Sequence, residues 1–299
     1  MPQHPIAGTL DARGGVASSA ELRRWYSARQ IRQAVVDGHI LRDARGHYAL
    51  ASADEGLRAA RRLRAVVVTR SAAAFYGWRL KTQPPRPEVA VPRGRKVSAI
   101  DRQRYAVSWR TLPPAALLGA HVTTPVRTVV DCAVALPFDE ALAIADSALR
   151  SGSVSPGQLL DAAQDVKRAG RQRALRVAHH ADRRAENPFE SVVRAISLDV
   201  AGLRLQPQVS LRSAGRVIHP DLADRDLGIA VEADSYEYHT TRQQIDIDCH
   251  RYTELGLGGW LVLRVSHQQA MHRHGWVRSA CERAVEYRRT TPFRAGASG

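Results

Sequence analysis

Apolar positions recur at helical spacing in some stretches and alternate in others, and these changes of period divide the chain. Over 28–40, Ile31, Ala34 and Val35 fall on one side of a helix and Arg29, Arg32 and Gln33 on the other. A short helix over 6–13 ending at Gly14-Gly15 precedes it. A second helix runs through Leu22 and Trp25, with Ser18 or Ser19 as N-cap. Gly38 closes the third helix, and 39–50 reads as two short strands about Arg45-Gly46. Helix, helix, then hairpin is the order of a winged helix-turn-helix, which presents its second helix to the major groove. On that reading Arg29, Arg32 and Gln33 face DNA, with Arg42 and Arg45 on the wing. An ordinary amphipathic helix with a solvated basic face has the same spacing.

Residues 53–168 form a mixed α/β middle module. Arg58, Arg61, Arg62 and Arg64 crowd one helix, an apolar strand follows at 65–68, and 71–78 is a short helix. The proline-rich basic segment 83–96 reads as loop, strand, loop, with another strand at 106–109. Two helices follow. Asp131 and Asp146 read as partners of neighbouring arginines such as Arg127, not as a catalytic pair. Residues 169–186 are a polar, basic connector. Its adjacent His179 and His180 diverge by about 100° in a helix, which suits solvent better than one metal ion.

From 187 to 289 the pattern sharpens. Asn187, Pro188 and Glu190 are a helix start, with Glu190 in the position of a capping glutamate. A strand over 217–223 turns into a more apolar one over 227–234, which ends in Glu232 and Asp234 on one face. A hairpin brings Asp221 alongside Glu232, and His239 follows. Carboxylates so gathered repel unless a positive charge sits between them, and a hard cation, Mg²⁺ or Mn²⁺, is a natural occupant. The arrangement suggests Asp221, Glu232 and the Ala233 carbonyl as metal ligands. Asp234 could complete the shell or orient a water, with His239 as general acid or base. Asp248 and Arg251 on the next helix either back this group or form a salt-bridged helix face. Strand-end acids paired with arginine are the plainer explanation. Residues 290–299 read as a tail.

Charge changes the picture. The 299-residue chain carries a formal net charge of +15. Lysine is found only at Lys81, Lys96 and Lys167, so nearly all the base is arginine. Codon bias favours arginine over lysine but does not explain base over acid, so DNA is the expected partner. Cys132, Cys249 and Cys281 are too scattered for a disulfide framework or zinc knuckle. The N-terminus lacks a signal pattern, and no apolar run approaches the ~18 residues of a spanning helix. The expectation is a cytoplasmic protein without a membrane segment.

Several of these motifs also carry a resemblance. Glu190 with Arg194, Asp221, the Glu232-Ala233-Asp234 run, Tyr238-His239, Asp248 with Arg251, and the run from Gly259 to Arg264 resemble the PD-(D/E)xK nuclease superfamily, nearest its Vsr-like endonuclease branch. The N-terminal 50 residues, and more loosely the middle module, resemble AbiEi-type antitoxins, whose winged helix binds DNA. The resemblances imply an α/β (α+β) multidomain protein with a restriction-endonuclease-like C-terminal core. They imply a metal-dependent DNA endonuclease directed by its winged helix, with Glu190 joining Asp221, Glu232, Asp234 and His239 as catalytic residues. The alternative is a non-catalytic regulator or antitoxin of a type IV toxin–antitoxin-like system on a degenerate nuclease fold, with a toxin or defence-system protein as further partner. Two departures stand out. Asp234 occupies the superfamily's lysine position, and Ser235 replaces its usual glycine.

Overall fold

The computed structural model describes residues 4–119, 121–213, 216–234 and 242–293. It is a mixed α/β protein of two compact units, 1–78 with 82–135, and 79–81 with 136–299. This division does not follow the composition boundaries near 52 and 168.

The first unit opens with α1 (Pro5–Asp11), β1 (Val16–Ser18), α2 (Ser19–Leu22), α3 (Ala28–Val36), β2 (Leu41–Ala44) and β3 (His47–Ala49). The expected hairpin is present, but β1 adds a third strand, giving the order β1-β3-β2. Three residues are too few to display a period of two, so this strand had no legible pattern. Capping boxes explain the helix starts. Ser18 pairs reciprocally with Glu21, and Ser27 with Gln30. The second helix stops at Leu22 instead of running through Trp25, whose ring is 52% exposed. Ile6, Leu10, Leu22, Ile31, Ala34 and Ile40 form the core that fixes α3.

The same unit continues through α4 (Glu55–Leu63), β4 (Val66–Val67), α5 (Thr69–Phe75), β5 (Glu88–Val91), α6 (Ala99–Arg104), β6 (Ala106–Trp109), β7 (Leu117–Leu118), β8 (Val122–Thr123) and α7 (Pro125–Ala135). Its five-stranded sheet has the order β6-β5-β4-β8-β7. The helix α6 falls where no helix was expected. None of its residues is buried, so no apolar stripe announces it, and Ser98 caps its start.

The second unit begins with four helices: α8 (Phe138–Arg150), α9 (Pro156–Gln164), α10 (Arg168–His180) and α11 (Pro188–Ser197). The basic connector is therefore a packed helix, α10, with Ala174 and Val177 buried. Next come β9 (Gln206–Pro207), β10 (Leu211–Ser213), β11 (Arg216–Ile218), β12 (Leu222–Asp224), β13 (Ile229–Asp234), α12 (Arg242–Leu257), β14 (Leu261–Ser266), α13 (His267–His272) and α14 (His274–Thr290). The sheet order is β14-β13-β12-β9, with β14 parallel to β13. Phe189, Val192 and Val193 of α11 pack with Leu222, Ile229, Val231 and Val265 from the sheet.

Two sequence expectations need correction here. The strand expected over 217–223 is broken in two: β11 pairs with β10, whereas β12 pairs with β13 and β9. The break falls at His219-Pro220, because proline lacks an N–H and restricts the residue before it. The next strand starts at Ile229, not 227. The buried Asp224 carboxylate accepts the N–H groups of Asp226 and Leu227, both 3.0 Å, and holds the turn that Gly228 completes at φ 59.

Candidate nucleic-acid interface and carboxylate centre

In the winged helix, Ile31 and Ala34 anchor α3 and turn its other face outward. Arg29, Arg32 and Gln33 are all exposed on that face, as are Arg42 on β2 and Arg45 at the tip of the wing. Gln33 Nε2 donates to Asp37 at 2.8 Å, one turn along. None of the four arginines has an ion-pair or hydrogen-bond partner among the described residues. Arg23 and Arg24, which follow the early end of α2, are also exposed. Arg13 lies over the Trp25 ring, 4.4 Å from its centroid, and fixes the indole beside them.

The arginines of α4 behave differently. Arg58 pairs with Asp43 of β2 at 2.5 Å, Arg61 with Glu21 at 2.7 Å, and Arg62 with Asp101 of α6 at 3.0 Å. They tie elements of the first unit together, and their charge is spent internally. Partial burial works against the Glu21 carboxylate, but the Ser18 backbone and hydroxyl donors and the Arg61 guanidinium hold its pKa down to about 2.

In the second unit, the register Leu222↔Val231 sets Asp221 opposite Glu232, as the hairpin reading anticipated. Asp221 Oδ2 accepts the Ala233 N–H at 2.7 Å. Glu232 is 1% exposed, and its Oε2 lies 3.0 Å from Arg251 Nη2, which reaches back from α12. Burial opposes the charge on Arg251, yet Glu232, Tyr252 and Asp221 raise its pKa above the ordinary value. Glu190, also 1% exposed, accepts the Glu186 N–H at 2.8 Å and Asn187 Nδ2 at 2.6 Å. Burial raises its pKa to about 8, helped by nearby Asp221 and Glu186, although the Glu186 N–H and Gln208 pull the other way. It is therefore largely protonated at neutral pH. Asn187 caps α11 by accepting the Glu190 N–H at 3.0 Å, but the Glu190 carboxylate takes the Glu186 N–H and the Asn187 side chain in place of the reciprocal capping-box bond to the Asn187 N–H.

Glu190, Asp221, Glu232 and Arg251 thus share one electrostatic neighbourhood. Asp234 ends β13 and Asp248 lies on α12, but their side chains fall outside the description, and His239 lies outside the described residues. Among the described residues no group of three or more His, Cys, Asp or Glu is arranged to hold a metal ion. Of these donors, Glu232 faces a guanidinium, Asp221 accepts a backbone N–H, and the Glu190 pKa is raised to about 8, so as they stand they are not the fully ionised oxygen cage that Mg²⁺ or Mn²⁺ takes. Arg194, part of the nuclease-like pattern, points elsewhere. Its Nη2 binds both oxygens of buried Asp146, at 2.8 and 2.6 Å, and Ser191 Oγ donates to the same carboxylate at 2.7 Å. Asp131 likewise pairs with Arg127 and Arg110, both at 2.8 Å, as the arginine-partner reading expected.

Among the described residues no helix is long and apolar enough to cross a membrane. Residues 65–177, from β4 to α10, match the family described as the AbiEi antitoxin C-terminal domain. Two uncharacterized proteins of Mycobacterium tuberculosis, MT2308 (strain CDC 1551 / Oshkosh) and Rv2248 (strain ATCC 25618 / H37Rv), are each 31% identical over 150 residues. Those residues are 49% of this chain and 55% of each relative. The chain thus spans about half the length of the curated relatives it matches. The crystal structure of the RV2827C protein of Mycobacterium tuberculosis is similar with a TM-score of 0.36 and 15% identity, covering 62% of this chain and 78% of that one. Likeness at family level rests on the middle of the chain, where residues 65–177 are similar to the AbiEi antitoxin C-terminal domain.

Proposed function

We propose that this protein is a DNA-binding regulator of the antitoxin type, in which the winged helix engages DNA and the C-terminal unit is a nuclease-like scaffold without a catalytic metal. The observation that carries the reading is the contrast between two sets of arginines in one unit. Those of α4 are consumed by Glu21, Asp43 and Asp101, whereas Arg29, Arg32, Arg42 and Arg45 remain exposed with no ion pair or hydrogen bond among the described residues. Exposed guanidiniums on a second helix and its wing suit phosphate and base-edge contacts. The match to an antitoxin domain supports the same reading.

The test is binding of duplex DNA from the region upstream of the protein's own reading frame, followed by anisotropy over a range of salt. Each lost phosphate contact reduces the slope of log K against log salt by about 0.9. Arg29→Ala and Arg32→Ala are expected to weaken binding and flatten that slope. Unchanged affinity in both variants sinks the proposal.

The convergence of Glu190, Asp221 and Glu232 favours a second reading, a metal-dependent endonuclease. It requires Mg²⁺- or Mn²⁺-dependent nicking of plasmid that EDTA, Asp221→Ala and Glu232→Ala each abolish.

A further inference from the structure

We propose that the free edge of β6 is a docking site for an extended, acidic segment of a partner protein, which adds to the sheet as a further strand. This goes beyond DNA binding and does not depend on it.

The edge is open in hydrogen-bonding terms. β6 is the terminal strand of its sheet and runs parallel to β5. The N–H of Ala106 donates inward to the Pro87 carbonyl and that of Arg110 to the Val91 carbonyl, both at 2.9 Å. Alternation along the strand therefore directs the Val107 and Trp109 N–H groups away from β5, toward the unpaired side. A bare strand edge is a template for another chain unless something covers it.

The surroundings define the guest. A groove of about 560 Å³ is lined by every residue from Tyr105 to Arg110, together with Arg86, Glu88 and Arg102. Val68, Thr69 and Ala135 line it as well, so the groove lies over a face of β5 and β6 and reaches the β6 edge through the consecutive residues 105–110. Its one acid is already neutralised, since Glu88 receives Thr69 Oγ1 at 2.5 Å and two guanidinium nitrogens of Arg70 at 2.9 and 2.7 Å. Arg110 shares Asp131 with Arg127, so that group keeps a surplus positive charge. Arg86 Nη1 donates to the carbonyl oxygens of Arg102 and Gln103, both at 3.1 Å, and Arg102 is exposed with no ion pair among the described residues. The Trp109 indole is 43% exposed and is held in place by its Nε1 bond to the Arg95 carbonyl at 2.8 Å. Main-chain pairing would supply affinity, and carboxylates meeting Arg86, Arg102 and Arg110 would supply selectivity.

The test uses the full chain and a fluorescein-labelled peptide of alternating glutamate and valine, about six residues long to match a typical strand. A lysine–valine counterpart and single-stranded oligothymidylate serve as comparisons, and anisotropy is the readout. Val107→Pro removes one outward N–H while leaving the ladder to β5 intact. Arg102→Glu reverses one charge and stands in if the proline variant fails to fold. The proposal expects saturable binding of the acidic peptide only, weakened about tenfold by either substitution, the loss equivalent to one good hydrogen bond. No binding of that peptide overturns it. Binding that ignores Val107→Pro while responding to Arg102→Glu reduces the site to charge attraction and overturns strand addition. Preference for oligothymidylate makes the groove a nucleic-acid contact and overturns it as well.

Discussion

Arg251 Nη2 stands 3.0 Å from Glu232 Oε2, a guanidinium reaching from α12 to a carboxylate buried at the end of β13. The two partners differ in solvent access, since Arg251 keeps 28% of its side chain exposed and Glu232 only 1%. That asymmetry makes the two single substitutions unequal. Arg251→Ala leaves a carboxylate stranded in the interior, and losses of about 3 kcal/mol are typical of such broken pairs. Glu232→Gln leaves a guanidinium that still reaches water, at smaller cost. Urea unfolding of both variants measures the difference, and equal losses contradict the buried-carboxylate argument. Because Arg251 already supplies positive charge, millimolar Mg²⁺ is expected to leave the wild-type melting temperature unchanged. A clear rise with Mg²⁺ that disappears in Asp221→Ala establishes a metal site instead.

Asp146 and Arg194 form a more deeply buried pair, with 2% and 6% of their side chains exposed. Burial raises the Asp146 pKa, while Arg194, the Asp182 N–H and Ser191 oppose that rise. Asp146→Ala strands the guanidinium and is expected to cost about 3–5 kcal/mol, while Asp146→Asn retains part of the hydrogen bonding and costs less. Thermal or urea melts of the two variants decide it, and a neutral Asp146→Ala contradicts the pairing.

Much of this architecture was legible because it is written in local chemistry. Gly38 and the face of Ile31 and Ala34 give α3 and its orientation, and Asn187-Pro188 gives the start of α11. The juxtaposition of Asp221 and Glu232 followed from strand alternation and a hairpin. What remained hidden depends on partners distant in sequence. Nothing near Arg194 signals that it pairs with Asp146, 48 residues earlier. Arg251 and Glu232 meet only because the parallel pairing of β14 with β13 folds α12 back. The exposed helix α6 carries no apolar period, and Pro220 cut a strand whose alternation looked continuous.

Glu190 makes the stability of the second unit pH-dependent. Its folded-state pKa of about 8 lies above the ordinary 4.5, so the folded chain retains a proton that the unfolded chain has released. The sign follows from linkage. This group costs nothing below pH 4.5, destabilises increasingly as pH rises from there to about 8, and adds no further loss above that. Glu190→Gln imitates the protonated acid. Its melting temperature relative to wild type is therefore expected to climb between pH 5 and about 8 and then level off. A difference that is flat with pH rules out a protonated Glu190.

Gly228 is the position where backbone geometry is least negotiable. Its φ is 59, and an added Cβ would lie 2.2 Å from the Phe293 ring. The Gly228 carbonyl also accepts Arg288 Nη2 at 2.9 Å, and the same nitrogen reaches the Gly259 carbonyl at 2.6 Å. Gly228→Ala combines a left-handed conformation with a clash, so it should destabilise by about 1 kcal/mol or more. Phe293→Ala in the same background relieves the clash alone. Recovery of part of the loss in the double variant is the expected result, and a fully stable Gly228→Ala contradicts it.

The two sets of arginines in the first unit predict a separation of stability from DNA affinity. Arg61 is 18% exposed and bonded to Glu21, so Arg61→Ala should cost about 1 kcal/mol or less, as partly exposed pairs do, and leave the salt slope of DNA binding unchanged. Arg32→Ala should do the reverse, because its charge has no partner among the described residues. Acid provides an independent check on the first of these. Glu21 has a folded pKa of about 2 against an ordinary 4.5, so its contribution is complete above pH 4.5 and disappears as pH falls through about 2. Glu21→Gln should therefore melt below wild type at neutral pH, with a gap that narrows steadily on acidification. If the gap persists at pH 2, or if Arg61→Ala changes the salt slope as much as Arg32→Ala does, the division between structural and DNA-facing arginines is wrong.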